Sequence, residues 1–312
     1  MRNLTLRHLR SLVAVAQTSR ISIAAVELGL TGPAITLQLK QMEEDAGIAL
    51  FDRTSEGMRL TAAGAILLEA AHAIQDRLRQ ADDALEMLKT GKRGTLRLGA
   101  VSTAKYFVPR MMAAFRRENP DIQIELKIGN RAQTIEALRN QEVDVSLMGR
   151  PPQQIETRAL VFGDHPFVII AAPDHPLAGK LDITKEQLVP EHFLLRESGS
   201  GTRTALEFFF GDIPKKLEGL GAEMGSNETI KQAVMAGLGI AFISAHTIEQ
   251  ELVARKLVIL DVIGMPIRRQ WFSIVRADRS MPPATEAFNR FLSTRGAQFL
   301  PVIGKIYPKQ QA

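Results

Sequence analysis

The chain of 312 residues contains no cysteine. It therefore cannot form disulfides, use a thiol in catalysis or build a zinc finger, and this composition fits a reducing cytoplasm. Long hydrophobic runs are missing too, since the strongest, residues 167–172, is far too short to span a bilayer. Residues 1–4 lead into an amphipathic segment without the apolar core of a signal peptide. We expect a cytoplasmic protein with no membrane partner.

A strong excess of positive charge is also lacking. The whole chain carries a formal net charge of +5, and residues 1–62 contain seven basic and six acidic side chains. Any affinity for DNA must therefore come from the placement of charges, from dimerisation and from local contacts.

Signatures of catalysis are missing as well. The sequence has neither a phosphate-binding loop ending in lysine nor a Gly-x-Ser-x-Gly elbow. The six histidines show no i, i+4 pairing, which predicts surface or turn residues rather than metal ligands. We expect no enzyme activity, no metal and no cofactor other than a small-molecule effector.

Residues 22–45 predict two short helices joined by a glycine turn. Ser22 is a candidate N-cap of the first helix, and Gly29 ends that helix because glycine adopts the left-handed conformation without steric cost. Thr31 then caps a second helix, with Pro33 in its first turn. This arrangement is typical of a helix-turn-helix unit, whose second helix enters the major groove of DNA. The alternative is an ordinary helical hairpin in a globular core.

The second helix has two different faces. Apolar residues at i, i+4 and i+7 predict a buried face, formed by Ile35, Leu39 and Met42. The opposite face carries side chains that can bond base edges or phosphates. These are Thr36, Gln38, Lys40 and Gln41.

A short wing follows the second helix. Residues 50–54 and 58–61 are expected to be extended on either side of a turn at 55–57, which places Arg53 and Arg59 near phosphates. With an initial helix over 4–18, these elements predict a DNA-binding domain over residues 1–61. Its candidate DNA contacts are Ser22, Thr31, Pro33, Thr36, Gln38, Lys40, Arg53 and Arg59.

A long helix is predicted from Ala62 to about Lys89, ending in a basic, glycine-bracketed hinge at 90–94. Apolar residues recur along it in steps of four and three, as in a coiled coil. We favour a dimerisation linker over 62–92, although the helix could instead pack on its own domain. The predicted seam consists of Leu67, Ala71, Ile74, Leu78, Ala81, Leu85 and Leu88.

Residues 93–312 predict a bilobed α/β effector domain, in which strands alternate with helices. A βαβαβ unit with a largely parallel sheet is followed by a second unit that starts at residue 167, and a cleft is expected between them. The first unit has strands at 95–100, 122–128 and 143–148 and helices at 108–117 and 132–140. The second has strands at 167–172, 193–195, 222–225, 240–243 and 271–276, and helices at 202–210, 228–236, 245–251 and 284–297.

Two hydroxyl-rich segments predict an anion site in this cleft. Residues 198–203 offer glycines, hydroxyls and free amides at a helix start, and Ser102 and Thr103 follow the first strand. Plain helix capping is the alternative. We expect amide and hydroxyl donors to hold a carboxylate or phosphate without a buried countercharge. The candidate effector contacts are Ser102, Thr103, Arg131, Met148, Gly149, Ser200, Thr202, Arg203 and Asn227.

The chain resembles the LysR-type transcriptional regulators along essentially its whole length. The resemblance rests on Ala24-Ala25, Leu28, Thr31, residues 33–36, Leu50-Phe51, Arg53-Thr54 and residues 59–61 with Gly64. It implies a winged helix-turn-helix, a dimerising linker helix and an effector domain with the fold of periplasmic solute-binding proteins. It further implies double-stranded DNA as partner and a homotetramer assembled as two dimers. Three positions depart from the usual pattern: Gly32, Leu37 and Glu56.

The effector domain resembles a narrower subgroup, the regulators of Calvin-cycle (rubisco) operons, often called CbbR. Residues 104–109, 129–131, 148–152 and 196–203 carry this resemblance. It implies a phosphorylated sugar or NADPH as effector and RNA polymerase as a further partner. A LysR-type regulator of another metabolic operon is the alternative within the family. A solute-binding protein or an α/β enzyme is the alternative from another class.

Overall fold

The computed structural model describes residues 4–90, 94–211 and 221–302, and the chain divides into two compact units between Leu85 and Glu86. The first unit contains three helices, a two-stranded antiparallel hairpin and a long helix. They are α1 (Leu6–Thr18), α2 (Ile21–Leu28), α3 (Gly32–Ala46), β1 (Phe51–Thr54), β2 (Gly57–Leu60) and α4 (Ala62–Thr90).

Helices α2 and α3 form the predicted helix-turn-helix and are bent by 104° at their junction. Gly29 ends α2 with φ +64°, and Thr31 caps α3 by accepting a hydrogen bond from the Ala34 amide. The prediction that Ser22 caps α2 is wrong, because α2 begins at Ile21, whose side chain packs on the domain core, and Arg20 takes the N-cap position. Among the described residues no single helix meets the length and hydropathy of a membrane span, and only α2 and α3 taken together do.

The start of α4 belongs to the core of the first unit. Gly64 permits this, because a side chain there would collide with the Leu50 carbonyl. Leu67 and Ala71 are buried in the same core as Leu12 and Ile35. They are therefore not available to a dimer seam, which corrects the predicted seam at its first two positions.

Further along α4 the predicted seam is exposed. Ile74, Leu78, Ala81 and Leu85 lie open to solvent, and Ile66 and Ala70 continue the same exposed stripe toward the helix start. The side chain of Leu88 and the predicted hinge at 91–93 lie outside the described residues.

The second unit is a mixed α/β domain. Its strands are β3 (Thr95–Val101), β4 (Gln123–Gly129), β5 (Val145–Met148), β6 (Thr157–Ala171), β7 (Leu195–Arg196), β8 (Glu223–Met224), β9 (Ala241–Ser244), β10 (Val258–Ile259) and β11 (Ile267–Arg276). Its helices are α5 (Val108–Glu118), α6 (Arg131–Arg139), α7 (Lys185–Leu188), α8 (Gly201–Phe209), α9 (Asn227–Met235), α10 (Glu249–Val253) and α11 (Pro283–Arg295). Short 3₁₀ turns at Ser102–Tyr106, Ala245–Thr247 and Gly296–Phe299 complete it, so the helix predicted at 245–251 is split.

The main sheet is mixed rather than largely parallel. Strands β4, β3 and β5 are parallel neighbours, as predicted for the first unit. Strand β6 starts ten residues before the predicted strand at 167 and pairs antiparallel with β11 along its length. It also pairs antiparallel with β9 and β10.

The two long strands connect the lobes, so the lobes are not built one after the other. Lobe I combines the first βαβαβ unit with α11, around a core that includes Phe107, Phe115 and Trp271. Lobe II is inserted between β6 and β11 and has its own cores around Phe193 and Ile230. The chain thus leaves lobe I along β6 and returns along β11.

Candidate functional site

Helix α3 exposes part of its predicted reading face. Thr36 is half-buried, and its hydroxyl donates to the Gly32 carbonyl at 3.0 Å. Lys40 is exposed beside Glu44, with 3.6 Å between ammonium and carboxylate. Gln38 differs from the prediction, because its side-chain carbonyl accepts a 2.6 Å hydrogen bond from Ser11 of α1. The side-chain carbonyl of Gln38 therefore already forms a hydrogen bond within the domain.

The wing is fixed to the rest of the first unit at two points. The Met58 amide donates to the Ser19 carbonyl at the end of α1, and Glu43 of α3 accepts from the Leu50 amide at 2.8 Å. Arg53 pairs with Met58 across the hairpin, and Arg59 pairs with Asp52. Because paired residues share a face and alternate along a strand, the two exposed arginines point to opposite faces of the wing.

A cleft of about 910 Å³, open to solvent, lies between the lobes of the second unit. Six of the nine predicted effector contacts line it, although they come from distant parts of the chain. The strand ends of β3 and β5 and the starts of α6 and α8 bring them together. They are Ser102, Thr103, Arg131, Gly149, Ser200 and Thr202.

The other three predicted contacts do not line the cleft. Arg203 lies along α8, where it pairs with Glu207 at 2.9 Å and donates to the Arg196 carbonyl. Asn227 is buried beneath Arg196, and Met148 lies behind Arg131, 3.6 Å from its guanidinium. These three residues support the cleft walls. In contrast to the prediction, the structure places none of them on the surface of the cleft.

The cleft contains two guanidinium groups, in addition to Arg131, that were not among the predicted effector contacts. Arg150 and Arg269 line it together with Arg131. Arg131 donates only to the carbonyls of Arg150 and Pro151 and to the Met148 sulfur. Burial and the neighbouring guanidiniums of Arg150 and Arg269 lower the pKa of Arg131. Burial and Arg150 do the same to the pKa of Arg269.

A fourth arginine in the cleft wall is already neutralised. Arg196 is buried and forms a two-pronged ion pair with Glu197, with distances of 2.7 and 2.9 Å. Its remaining donors reach Asn227 and, across the lobes, the Ser102 hydroxyl at 3.2 Å. Arg196 therefore positions Ser102, while none of the hydrogen bonds or ion pairs found among the described residues gives Arg131, Arg150 or Arg269 a carboxylate partner.

A second polar contact ties the lobes together away from the cleft. Lys105 and Tyr106 of lobe I both donate to Glu228 of lobe II, with 2.6 Å from the ammonium to the carboxylate. Lys231 of α9 lies 4.6 Å from the centre of the Tyr106 ring and pairs with Glu251 at 2.7 Å. Burial, together with the hydrogen bond to Glu228, raises the pKa of Tyr106 far above its usual value.

Three histidines are buried: His72, His165 and His246. His72 lies in α4 and His165 in β6, which contradicts their predicted place at the surface or in a turn, whereas His246 lies in the 3₁₀ turn Ala245–Thr247. His165 is stacked on Trp271, with ring centres 3.9 Å apart, and Trp271 donates a 3.0 Å hydrogen bond to Nδ1 of His246. Burial lowers the pKa of His246 to about 4. No signal in the sequence marks His165, because its burial results from the pairing of β6 with β11.

Comparisons with known proteins agree along both units. Residues 6–65 match the model of the bacterial regulatory helix-turn-helix protein, lysR family, and residues 89–297 match the LysR substrate binding domain. The chain is 58% identical to the HTH-type transcriptional regulator CbbR of Rhizobium meliloti (strain 1021) over 308 residues, which cover 99% of this chain and 98% of that protein. It is 42% identical to the RuBisCO operon transcriptional regulator of Allochromatium vinosum, over 95% of this chain and 98% of that one.

The second unit is also similar to a solved structure with a bound ligand. The regulatory domain of Synechocystis PCC6803 CcmR in complex with 2-PG is 37% identical. The match covers 64% of this chain and 96% of that domain, with a TM-score of 0.60.

Proposed function

Because this chain belongs to the LysR family of bacterial transcriptional regulators, we propose that it controls a rubisco operon in response to a small phosphorylated anion bound between its lobes. The names of its CbbR and RuBisCO-operon relatives support the operon. The observation that supports the ligand class is the set of three guanidiniums in the cleft, Arg131, Arg150 and Arg269, without a carboxylate partner among the described residues.

An anion removes the electrostatic cost of this arrangement. Like charges that face one cleft repel each other, and a phosphate can accept several charge-assisted hydrogen bonds from guanidiniums. The starts of α6 and α8 line the same cleft and add favourable helix dipoles. A phosphomonoester such as 2-PG, a phosphorylated sugar or NADPH carries the chemistry that this cleft favours, and the complex of CcmR with 2-PG supports the first of these.

Calorimetry on the full chain tests the ligand class. We expect 2-PG or another phosphorylated probe to bind, and we expect a neutral sugar without phosphate not to bind. If 2-PG, phosphorylated sugars, NADPH and inorganic phosphate all fail to bind the folded protein, the proposed effector is wrong, while the family assignment is unaffected.

The first unit is proposed to read DNA through α3 and to hold the backbone through its wing. Thr36→Val keeps the volume of the side chain but removes the hydroxyl, so we expect a loss of roughly 1–3 kcal/mol at preferred sites and relaxed base preference. Arg53→Ala should instead weaken binding to all sequences alike and reduce its salt dependence. Gel shifts with the DNA upstream of the rubisco operon at several salt concentrations measure both effects. An altered base preference with an unchanged salt slope in Arg53→Ala would contradict this division of roles.

We further propose that the protein acts in the cytoplasm as a homodimer or homotetramer, with RNA polymerase as a partner at the promoter. The exposed apolar stripe on α4 from Ile66 to Leu85 supports self-association, since a first unit with little net charge gains affinity from two linked reading heads.

A further inference from the structure

We propose that His165 contacts the effector directly, by donating a hydrogen bond from Nδ1 of a neutral imidazole to an oxygen of the anion. This inference rests on the proposed binding of an anion in the cleft, and it adds a specific contact from a residue outside the arginine cluster.

The His165 ring lies in the cleft wall, and only one of its two nitrogens has a hydrogen-bond partner among the described residues. Its side chain is 3% exposed and lies between Trp271 and Phe167, whose ring centres are 3.9 and 4.4 Å away. Nε2 lies 3.0 Å from the hydroxyl of buried Ser244. Nδ1 is buried and has no hydrogen-bond partner, although His165 lines the cleft. A buried polar atom without a partner is costly, which favours a ligand that supplies one.

The cross-strand register places this nitrogen beside a cation. His165 of β6 pairs with Arg269 of β11, so both side chains stand on the same face of the sheet and both line the cleft. Burial, His246 and Arg269 lower the pKa of His165 well below its usual value. The imidazole therefore stays neutral beside the guanidinium and contributes a hydrogen bond rather than a charge.

The Ser244 hydroxyl can pair with either tautomer of the neutral His165 ring, because it can donate to Nε2 or accept from it. When Ser244 donates to Nε2, the proton of the neutral ring lies on Nδ1, the nitrogen without a partner. An anionic oxygen accepts from that N–H, so binding of an anion selects this tautomer. Ser244 is thus a positioning residue for His165.

Gly149 lies directly beside this nitrogen. A Cβ on Gly149 would lie 2.7 Å from Nδ1 of His165, closer than side-chain carbons approach their neighbours. The backbone of Gly149 is not in the left-handed region, so alanine is tolerated there conformationally. Gly149→Ala therefore covers Nδ1 without removing any buried group.

Trp271 provides a spectroscopic signal for this contact. It is the only tryptophan in the chain and it stacks on the His165 ring. A ligand bonded to Nδ1 changes the electrostatic environment of the stacked indole, so binding is expected to change the tryptophan emission.

The test is titration of the full chain with 2-PG and with inorganic phosphate, followed by tryptophan emission and by calorimetry. His165→Phe keeps a flat ring against Trp271 but removes both nitrogens. His165→Asn restores an amide donor near the position of Nδ1. His192→Asn makes the same substitution at an exposed histidine and serves as the matched control.

We expect His165→Phe and Gly149→Ala to weaken binding about tenfold or more, as for the loss of one hydrogen bond to a charged group. His165→Asn should stay within about threefold of the wild type, and His192→Asn should be unchanged. If a folded His165→Phe or Gly149→Ala protein binds 2-PG as tightly as the wild type, the inference is overturned and the anion cleft stands. If the wild type binds neither 2-PG nor inorganic phosphate, this inference is overturned, whereas the proposed anion cleft is overturned only if phosphorylated sugars and NADPH also fail to bind. Should His165→Phe fail to fold, Gly149→Ala alone decides.

Discussion

Individual side chains in the cleft favour ligand binding at the expense of the stability of the free protein. Arg131, Arg150 and Arg269 line one surface, and burial together with the neighbouring guanidiniums lowers the pKa of Arg131. Residues arranged for binding in this way often reduce stability in the absence of ligand. The same groups are therefore expected to affect folding and affinity in opposite directions.

The first prediction concerns Arg269→Gln. Removing this guanidinium relieves repulsion with Arg150, so we expect a melting temperature equal to or above that of the wild type. Loss of a charged donor should weaken 2-PG binding by about 10- to 100-fold. Arg268→Gln is the matched control, since it removes the same charge from the adjacent, exposed position on the other face of β11. Equal affinities of the Arg269→Gln and Arg268→Gln proteins would contradict the prediction.

The second prediction concerns acid stability and His246. Its pKa in the folded protein is lowered to about 4 from the ordinary value of 6.5, so the unfolded chain binds the proton first as pH falls. The neutral histidine therefore contributes fully above pH 6.5, and stability is lost progressively as the pH falls toward 4. The shift corresponds to about 3 kcal/mol. Denaturant unfolding of wild type and His246→Gln at pH 7 and pH 5 measures it, and a wild-type stability that is constant over this range would refute it.

The sequence predicted those cleft residues whose role depends on local structure. Ser102 follows a strand, and Ser200 and Thr202 begin a helix, so position along the chain indicated that they face a ligand. His165 lies in the middle of β6 and Arg269 near the start of β11, where neighbouring residues carry no such signal. Only the antiparallel pairing of β6 with β11 brings them together, and it joins residues more than 100 positions apart.

At the scale of elements, helix α4 shows that one regular apolar repeat can be buried in a domain core at one end and exposed to solvent further along. The apolar repeat runs without a break from Leu67 to Leu88 in the sequence, but its first two members are buried in the core of the first unit. Periodicity indicates which face of a helix is apolar without indicating what covers it. The exposed apolar stripe begins at Ile66 and Ala70, which are not part of the predicted repeat, and joins that repeat at Ile74.

The third prediction is that Leu78→Glu prevents dimerisation through α4. Leu78 is 42% exposed at the middle of the stripe, and burying a carboxylate in an apolar helix interface is strongly unfavourable. We expect a monomeric first unit and loss of specific DNA binding, with 2-PG binding retained. Ala65→Glu adds the same charge at an exposed position on the opposite face of α4 and should leave the dimer intact. Light scattering and gel shifts measure the two properties, and full operator affinity in a monomeric Leu78→Glu protein would contradict the prediction.

Helices and strands were predicted correctly where a single hydrophobic period dominates the sequence. Strands β3 and β4 and helices α5 and α6 lie within one residue of their predicted positions, and β5 begins two residues late. The first half of β6 was missed because residues 157–166 alternate irregularly between exposed and buried positions. A strand that leaves one core and enters another has no single buried face, so its pattern changes along its length.

At the scale of the whole effector domain, two antiparallel strands and several polar contacts connect the lobes. Arg196 reaches Ser102 at the cleft, and Glu228 receives Lys105 and Tyr106 away from it. A ligand shifts the equilibrium between lobe arrangements only by its difference in affinity for them. Some contacts between the lobes stabilise the lobe arrangement in which the cleft is formed. Such contacts therefore raise the apparent affinity for the effector, although their residues do not contact the effector.

The last prediction is that Glu228→Gln weakens effector binding from a distance. The amide cannot form the ion pair with Lys105, so a smaller fraction of the protein has the cleft formed, and apparent affinity falls by that fraction. We expect a severalfold weaker 2-PG affinity, while Glu136→Gln, which removes an ion pair within α6 alone, leaves it unchanged.

Burial would raise the pKa of Glu228, but hydrogen bonds from Lys105 and Tyr106 hold it below the ordinary value of 4.5. The wild-type contact is thus complete above pH 4.5 and is lost as the pH falls through the lowered pKa, so the stability of Glu228→Gln should depend less on pH in that range. An unchanged 2-PG affinity in Glu228→Gln, measured by calorimetry at pH 7, would show that this contact does not control the cleft.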